Sequence, residues 1–235
     1  MTLRVAKKDL RTSLKQILSA LPASSITSQS ANITSAFLAL PEYQSATRIS
    51  VYLSMPSGEV QTDAIVRDAL RMGKQVFVPY IYRTSSPPSP PRNVMDMLEV
   101  HSVEDYEAFA RDKWGIPTVD AKSVAGRHNC FGGRGRTEGP TESVDGSAAD
   151  IVKDAALDLV VTPGVAFDTG FGRLGHGMGF YDNFFARCSS RGKRPFLAGL
   201  ALSEQLLPAD RTVPMEAYDV RLDALVIGDG RVLRR

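Results

Sequence analysis

Five glycines fall within the ten residues 170–179, at positions 170, 172, 175, 177 and 179, interleaved with Arg173 and His176 and followed by Tyr181-Asp182. A segment so poor in side chains cannot pack as a regular element. Glycine admits positive φ and lets backbone N–H groups turn together around a ligand. The apolar run Leu159-Val160-Val161 before it reads as a buried strand, and residues 181–188 read as the start of a helix. A strand, a glycine loop and a helix N-terminus form an anion site, to which Arg173 adds a cation. The ligand this arrangement suits is a polyphosphate.

Residues 170–175, Gly-Phe-Gly-Arg-Leu-Gly, also spell the dinucleotide fingerprint G-x-G-x-x-G. That fold needs its first glycine directly after the strand, whereas about eight residues separate Val161 from Gly170, so the fingerprint is rejected.

The rest of the chain alternates helical and strand periods, the pattern of an α/β protein. Leu10, Leu14, Ile17, Leu18 and Leu21 make the apolar stripe of a first helix with Pro22 beyond its end. Ile26, Ile33, Phe37 and Leu40 give a second, stopped by Pro41. Strands are expected at 49–53, 75–81, 94–100, 195–202 and 222–227. Thr62-Asp63 can cap a helix carrying Ile65, Val66, Ala69 and Leu70 up to Gly73, and Ser102 a short one to about Ala110. The proline-rich stretch 85–91 cannot join a sheet ladder. Residues 120–150, dominated by glycine, serine, threonine and charge, are expected to form a flexible insertion within one domain spanning 1–235 rather than a boundary. The fold expected is a single α/β domain with a mixed or mostly parallel sheet and helices on both faces.

Charge and cysteine usage narrow the function. A net charge of +2 gives no general basic face, so no nucleic-acid partner is expected and any electropositive site must be local. Cys130 and Cys188 have no metal-ligand spacing and read as free thiols. No apolar run approaches membrane-span length. Residues 1–20 are basic and amphipathic, like a mitochondrial presequence, but Asp9 argues against that role, and the cytoplasm is the expected compartment.

Pro163-Gly164-Val165-Ala166-Phe167-Asp168, followed by Gly172-Arg173-Leu174-Gly175-x-Gly177-x-Gly179-x-Tyr181-Asp182, resembles the signature of the 5-formyltetrahydrofolate cyclo-ligase (5,10-methenyltetrahydrofolate synthetase) family. Lys7-Lys8-Asp9-Leu10-Arg11 resembles its basic first helix, and Arg48-Ile49-Ser50-Val51-Tyr52-Leu53-Ser54 with Glu59 its substrate strand and acidic loop. Gly73-Lys74, Trp114-Gly115-Ile116-Pro117 and Asp219-Val220-Arg221-Leu222-Asp223 follow in the expected order. The resemblance implies an enzyme using ATP and Mg2+ to cyclise 5-formyltetrahydrofolate, expected to be a monomer with only small-molecule partners. The alternative is a catalytically reduced, nucleotide-binding relative that serves as a scaffold or RNA-associated factor.

The resemblance also implies roles. Lys7, Arg11, Arg173, Leu174, Gly175, His176, Gly177, Met178, Gly179, Phe180 and Tyr181 would hold ATP, with Arg173 and Tyr181 catalytic. Leu53, Met55, Glu59, Trp114, His176 and Phe180 would line the folate site, and Asp182 and Asp219 would hold the metal. The residues themselves leave plainer readings open. Lys7 and Arg11, one helical turn apart, could be a solvated face. Arg173 could merely pin its loop to a carboxylate, and Asp182 could complement the helix dipole. Asp223 competes with Asp219, Glu59 could be a surface acid, and Trp114 could be core. Met178 and Phe180 depart from the family pattern, and Phe180 lacks a hydroxyl that a tyrosine there would supply.

Overall fold

The computed structural model describes residues 2–84, 92–137 and 156–235. Two helices open the chain, α1 (Leu3–Ser19) and α2 (Ala23–Leu38). They are followed by α3 (Pro41–Ser45), β1 (Arg48–Ser50), α4 (Asp63–Arg71) and the long hairpin strands β2 (Gln75–Thr84) and β3 (Arg92–Val100). Then come α5 (Val103–Glu107), the short pair β4 (Ala110–Arg111) and β5 (Pro117–Thr118), and β6 (Leu159–Thr162). After β6 lie the short pair β7 (Ala166–Phe167) and β8 (Arg173–Leu174), then α6 (Phe180–Ser189), β9 (Phe196–Ala201), β10 (Ala224–Ile227) and β11 (Val232–Arg234).

Among the described residues seven strands form one sheet in the order β11-β10-β9-β6-β1-β2-β3. The five inner strands run parallel, and β3 and β11 close the edges antiparallel. Each inner strand alternates its side chains between two apolar layers. Ile49, Val51, Val76, Val78, Leu159 and Val161 face the layer of α2, α3 and α4. Phe77, Val160, Leu197 and Leu225 face the layer of α6. Burial on both faces is what a parallel sheet requires and explains the continuous apolar runs in these strands. A third cluster seats α1 through Leu10 and Leu14 against Val165, Leu174 and Val213. Among the described residues no helix is long and apolar enough to cross a membrane.

The topology places the site. From β1 the chain builds outward through β2 and β3, and from β6 it builds the opposite way through β9 and β10. β1 and β6 are therefore neighbours whose connections leave in opposite directions, which opens a crevice at their carboxyl ends. The loops that enter this crevice are 51–62 after β1 and the glycine loop after β6.

Local differences from the expectations have identifiable causes. Pro41 does not only stop α2; as the first residue of α3 it also starts a helix, a position where its missing N–H costs nothing. Thr62 precedes α4 but spends its hydroxyl on the Tyr52 carbonyl at 2.6 Å instead of capping. Ser102 caps α5 through the Asp105 N–H at 3.1 Å, and α5 ends sooner than expected. The stretch 85–91 lies outside the described residues.

The expected flexibility of residues 120–150 is corrected over 120–137. Val124 and Cys130 are buried, and the His128 and Met97 carbonyls exchange bonds with Glu99 and Cys130 along β3. Arg127, also buried, makes a two-pronged bond to Asp105 at 2.6 and 2.7 Å. Polar composition concealed this because hydrogen bonds rather than apolar side chains hold most of the segment. Residues 138–150 lie outside the described residues. Val124→Ala should therefore cost about 2 kcal/mol of stability, measured by urea unfolding, from lost burial plus a residual cavity. An unchanged midpoint would return the segment to the solvated reading.

Candidate active site

The glycine loop is pinned at both ends. β7 and β8 pair Ala166 with Leu174 and Phe167 with Arg173, closing 168–172 into a tight turn. Gly172 has no room for a side chain, since a Cβ there would lie 2.6 Å from an Asp168 oxygen. Gly179, at φ 69°, starts α6. The residue at the tip is Phe171, which holds φ 65° although it is not glycine. A bulky residue in the left-handed region costs about 1–3 kcal/mol and persists only where its surroundings impose it.

A line of cations runs through this loop. Lys7 is buried between Asp219 at 2.6 Å and Glu216 at 2.7 Å. Burial alone would lower its pKa, but the bonds from Asp219 and Glu216 outweigh that and raise it. One turn on, the Arg11 Nε donates to the Gly175 carbonyl at 2.8 Å, with its guanidinium against Gly177. Arg173 lies behind Gly175 and reaches Asp182 at 3.1 and 3.2 Å and the Pro163 carbonyl at 3.3 Å. His176 is exposed at the loop's rim. Desolvation against the protein, with the charges of Lys15, Arg173 and Arg11, lowers its pKa and favours the neutral ring. The sequence reading missed two parts of this line. Lys15 is one turn beyond Arg11 and was legible from spacing, whereas Glu216 had no local signal.

Facing the loop across the crevice is an acid-aromatic group from the β1 side. Glu59 is buried and its Oε2 accepts the Met55 N–H at 3.0 Å. Burial pushes its carboxyl up to about 7. Glu59 in turn raises Tyr52 and Tyr181, in both of which burial is the larger cause; at Tyr181 the charge of Arg173 acts the other way. The Tyr181 hydroxyl and the Arg173 Nε are both buried with no hydrogen-bond partner among the described residues. The Arg173 guanidinium lies 5.6 Å from the Tyr181 ring. Orphaned buried polar groups are rare in finished cores, and a water or a ligand's polar atom would satisfy them.

The remaining residues singled out from sequence fall into place unevenly. Leu53 is buried and Met55 half-buried on the loop after β1. Trp114 is 62% exposed, which removes the core-filler reading. Its turn, closed by Asp112 at 2.8 Å to the Trp114 N–H, touches Pro56 through Gly115 and so borders the Glu59 loop. Leu174 is a core residue, so its side chain is not available to a ligand. Met178 is 62% exposed on the outer rim, and Phe180 packs in the α6 layer. The surface-acid reading of Glu59 fails on its burial. Asp223 accepts from Arg194 at 2.9 Å and from the Leu197 backbone at 2.8 Å, away from the cation line.

Asp182 stands against Arg173 and Asp219 against Lys7, and the described residues contain no cluster of three or more potential metal ligands. Two hard oxygen donors suit magnesium that takes most of its ligands from phosphate and water.

Residues 4–228 match the sequence model of the 5-formyltetrahydrofolate cyclo-ligase family. The 5-formyltetrahydrofolate cyclo-ligase of Mus musculus is 32% identical over 229 residues, covering 97% of this chain and 96% of its own. The probable 5-formyltetrahydrofolate cyclo-ligase of Schizosaccharomyces pombe is 32% identical over 227 residues, or 94% of each chain. The NMR structure of Aquifex aeolicus 5,10-methenyltetrahydrofolate synthetase has the same fold, with a TM-score of 0.60 at 23% identity, covering 97% of this chain and 92% of that one. Family match, full-length relatives and shared fold agree: the chain belongs to the 5-formyltetrahydrofolate cyclo-ligase family.

Proposed function

We propose that this enzyme cyclises 5-formyltetrahydrofolate to 5,10-methenyltetrahydrofolate at the expense of ATP, and that the crevice between β1 and β6 is where it does so. The observation that carries the site is the pair of orphaned buried groups, Tyr181 hydroxyl and Arg173 Nε, beside buried Glu59. The formyl group on N5 is amide-like, and its oxygen is a poor leaving group. Transfer of the γ-phosphoryl to that oxygen gives an imidate-type phosphate and ADP. N10 then attacks the formyl carbon, the oxygen departs with phosphate, and N10 gives up its proton as the ring closes.

No covalent nucleophile is needed; catalysis is in-line positioning plus neutralisation of phosphoryl charge. Lys7, Arg11 and Arg173 supply that charge from one side, and within 175–179 only His176 and Met178, both exposed at the rim, carry side chains of their own. Glu59 would anchor donor groups of the pterin ring, with Leu53, Met55 and Trp114 as its apolar surroundings. Asp182 and Asp219 would hold magnesium together with ATP phosphate oxygens, and the metal when bound supplies further neutralisation of the triphosphate. On this reading Lys7 and Arg173 exchange their carboxylates for phosphate when nucleotide binds. The enzyme is read as a cytoplasmic monomer whose partners are its small-molecule substrates, with no role for nucleic acid at a net charge of +2.

The test is direct: near-ultraviolet absorbance of the methenyl product should grow only when ATP, magnesium and 5-formyltetrahydrofolate are supplied together. Asp182→Asn and Asp219→Asn should each raise the magnesium concentration needed for half-maximal rate several-fold, while folate binding without nucleotide stays near the parent's. Unchanged magnesium dependence in both variants would return the two acids to charge partners of Arg173 and Lys7.

A further inference from the structure

Asp168 is the most deeply buried acid near the site that the chemistry above does not use, at 2% exposure. It forms no ion pair among the described residues, although the Arg221 guanidinium comes near it at Gly170; its two oxygens take backbone N–H groups from two different segments. Oδ1 accepts from Gly172 at 2.9 Å, inside the glycine loop, and Oδ2 accepts from Val213 at 2.7 Å. Val213 opens the stretch 213–223, which carries Glu216 and Asp219 to Lys7.

The same two segments are joined twice more. Leu222 N–H donates to the Phe171 carbonyl at 3.0 Å, and Arg221 donates to the Gly170 carbonyl at 2.5 Å. The left-handed turn at Phe171 makes these joints possible. It leaves the Phe171 N–H on the Asp168 carbonyl at 3.0 Å while its own carbonyl turns toward Leu222. Three straps thus bind the segment holding Arg173 to the segment holding the acids of Lys7, and only the Asp168 strap is a buried side-chain anion bridging both.

We propose that Asp168 is a positioning residue for phosphoryl transfer: by fastening the glycine loop to residues 213–223, it fixes the spacing between Arg173 on one segment and Lys7 with Asp219 on the other. The proposal rests on the reading of this loop as the triphosphate site. A carboxylate is needed because both of its partners are donors. Asparagine keeps the shape but turns an NH2 group toward one of two N–H groups, so one strap becomes repulsive while the other survives. The two segments then shift relative to one another without losing either set of charges.

Asp168→Asn should raise the KM for ATP and the magnesium requirement by about tenfold, the equivalent of one lost charged hydrogen bond, with folate binding in the absence of nucleotide within about twofold of the parent. Arg221→Met removes the exposed strap with little risk to folding and should raise the KM for ATP by about threefold in the same pattern. A purely structural role would lower the melting temperature and the active fraction while leaving both constants in place. Folded Asp168→Asn with the parent's ATP and magnesium constants would overturn the proposal. If Asp168→Asn does not fold, Arg221→Met decides alone, and parental constants in it overturn the proposal equally. Arg173→Ala, run alongside, separates the two ideas: parental ATP kinetics in that variant would mean the triphosphate site itself is misplaced.

Discussion

Arg173→Ala is expected to lower kcat by about 100-fold or more, near 3 kcal/mol of transition-state stabilisation, the usual cost of one preorganised donor in a dry site. The setting supports a large effect. Arg173 is buried near the Tyr181 and Phe185 rings and fixed by the Pro163 carbonyl, so exchanging Asp182 for a phosphoryl oxygen is the one rearrangement it has to make. Its Nε, buried with no partner among the described residues, has a donor left for a further acceptor. Lysine should recover only part of the rate, since a point charge cannot replace a planar fork that offers several donors in fixed directions. Folding should survive, because the Asp182 side chain left behind is 24% exposed and can be hydrated. Steady-state rates at saturating ATP and folate check this. A lysine variant equal to the parent would reduce Arg173 to a general charge.

The parts of this fold that were legible in the sequence are those in which one segment carries its own signal. The apolar period of α1, the buried run of β6 and the glycine punctuation before α6 each announce an element locally. So does the pairing of Lys7 with Arg11 on one helix face. What was hidden depends on partners far along the chain. Lys7 meets acids 209 and 212 residues away, and no window around residue 7 predicts that they occupy it. Arg173 was read as a ligand contact against a loop pin; in this structure it is bound to Asp182, and the ligand reading now requires that bond to be exchanged. Left-handed geometry was expected of the glycines, and Gly177 and Gly179 adopt it, but the tip of the turn is Phe171, where tertiary straps override local preference.

Glu59→Gln should separate binding from stability in a pH-dependent way. The Glu59 carboxyl is pushed up to about 7 by burial, against an ordinary value of 4.5. Below 4.5 both folded and unfolded chains keep this proton, and the group adds no pH dependence. Between 4.5 and 7 the unfolded chain releases it first, so the folded state binds more protons and loses stability as pH rises. Above 7 the loss is complete, at about 3 kcal/mol for a shift of this size. Glutamine cannot ionise and still accepts the Met55 N–H, so its stability advantage over the parent should grow across that window and then level off. Binding should move the opposite way. Donor groups of a pterin ring favour the carboxylate, so the parent's KM for folate should rise toward tenfold per unit as pH falls below about 7. In Glu59→Gln the KM should be higher by about 10- to 100-fold at pH 8, the loss of one or two charge-assisted bonds, and flat with pH. Thermal melts and folate KM values from pH 5 to 8 measure both arms. A parental KM that does not change across this range would mean the pterin does not meet Glu59 as an anion, and the buried acid would then be a structural partner of the Met55 turn.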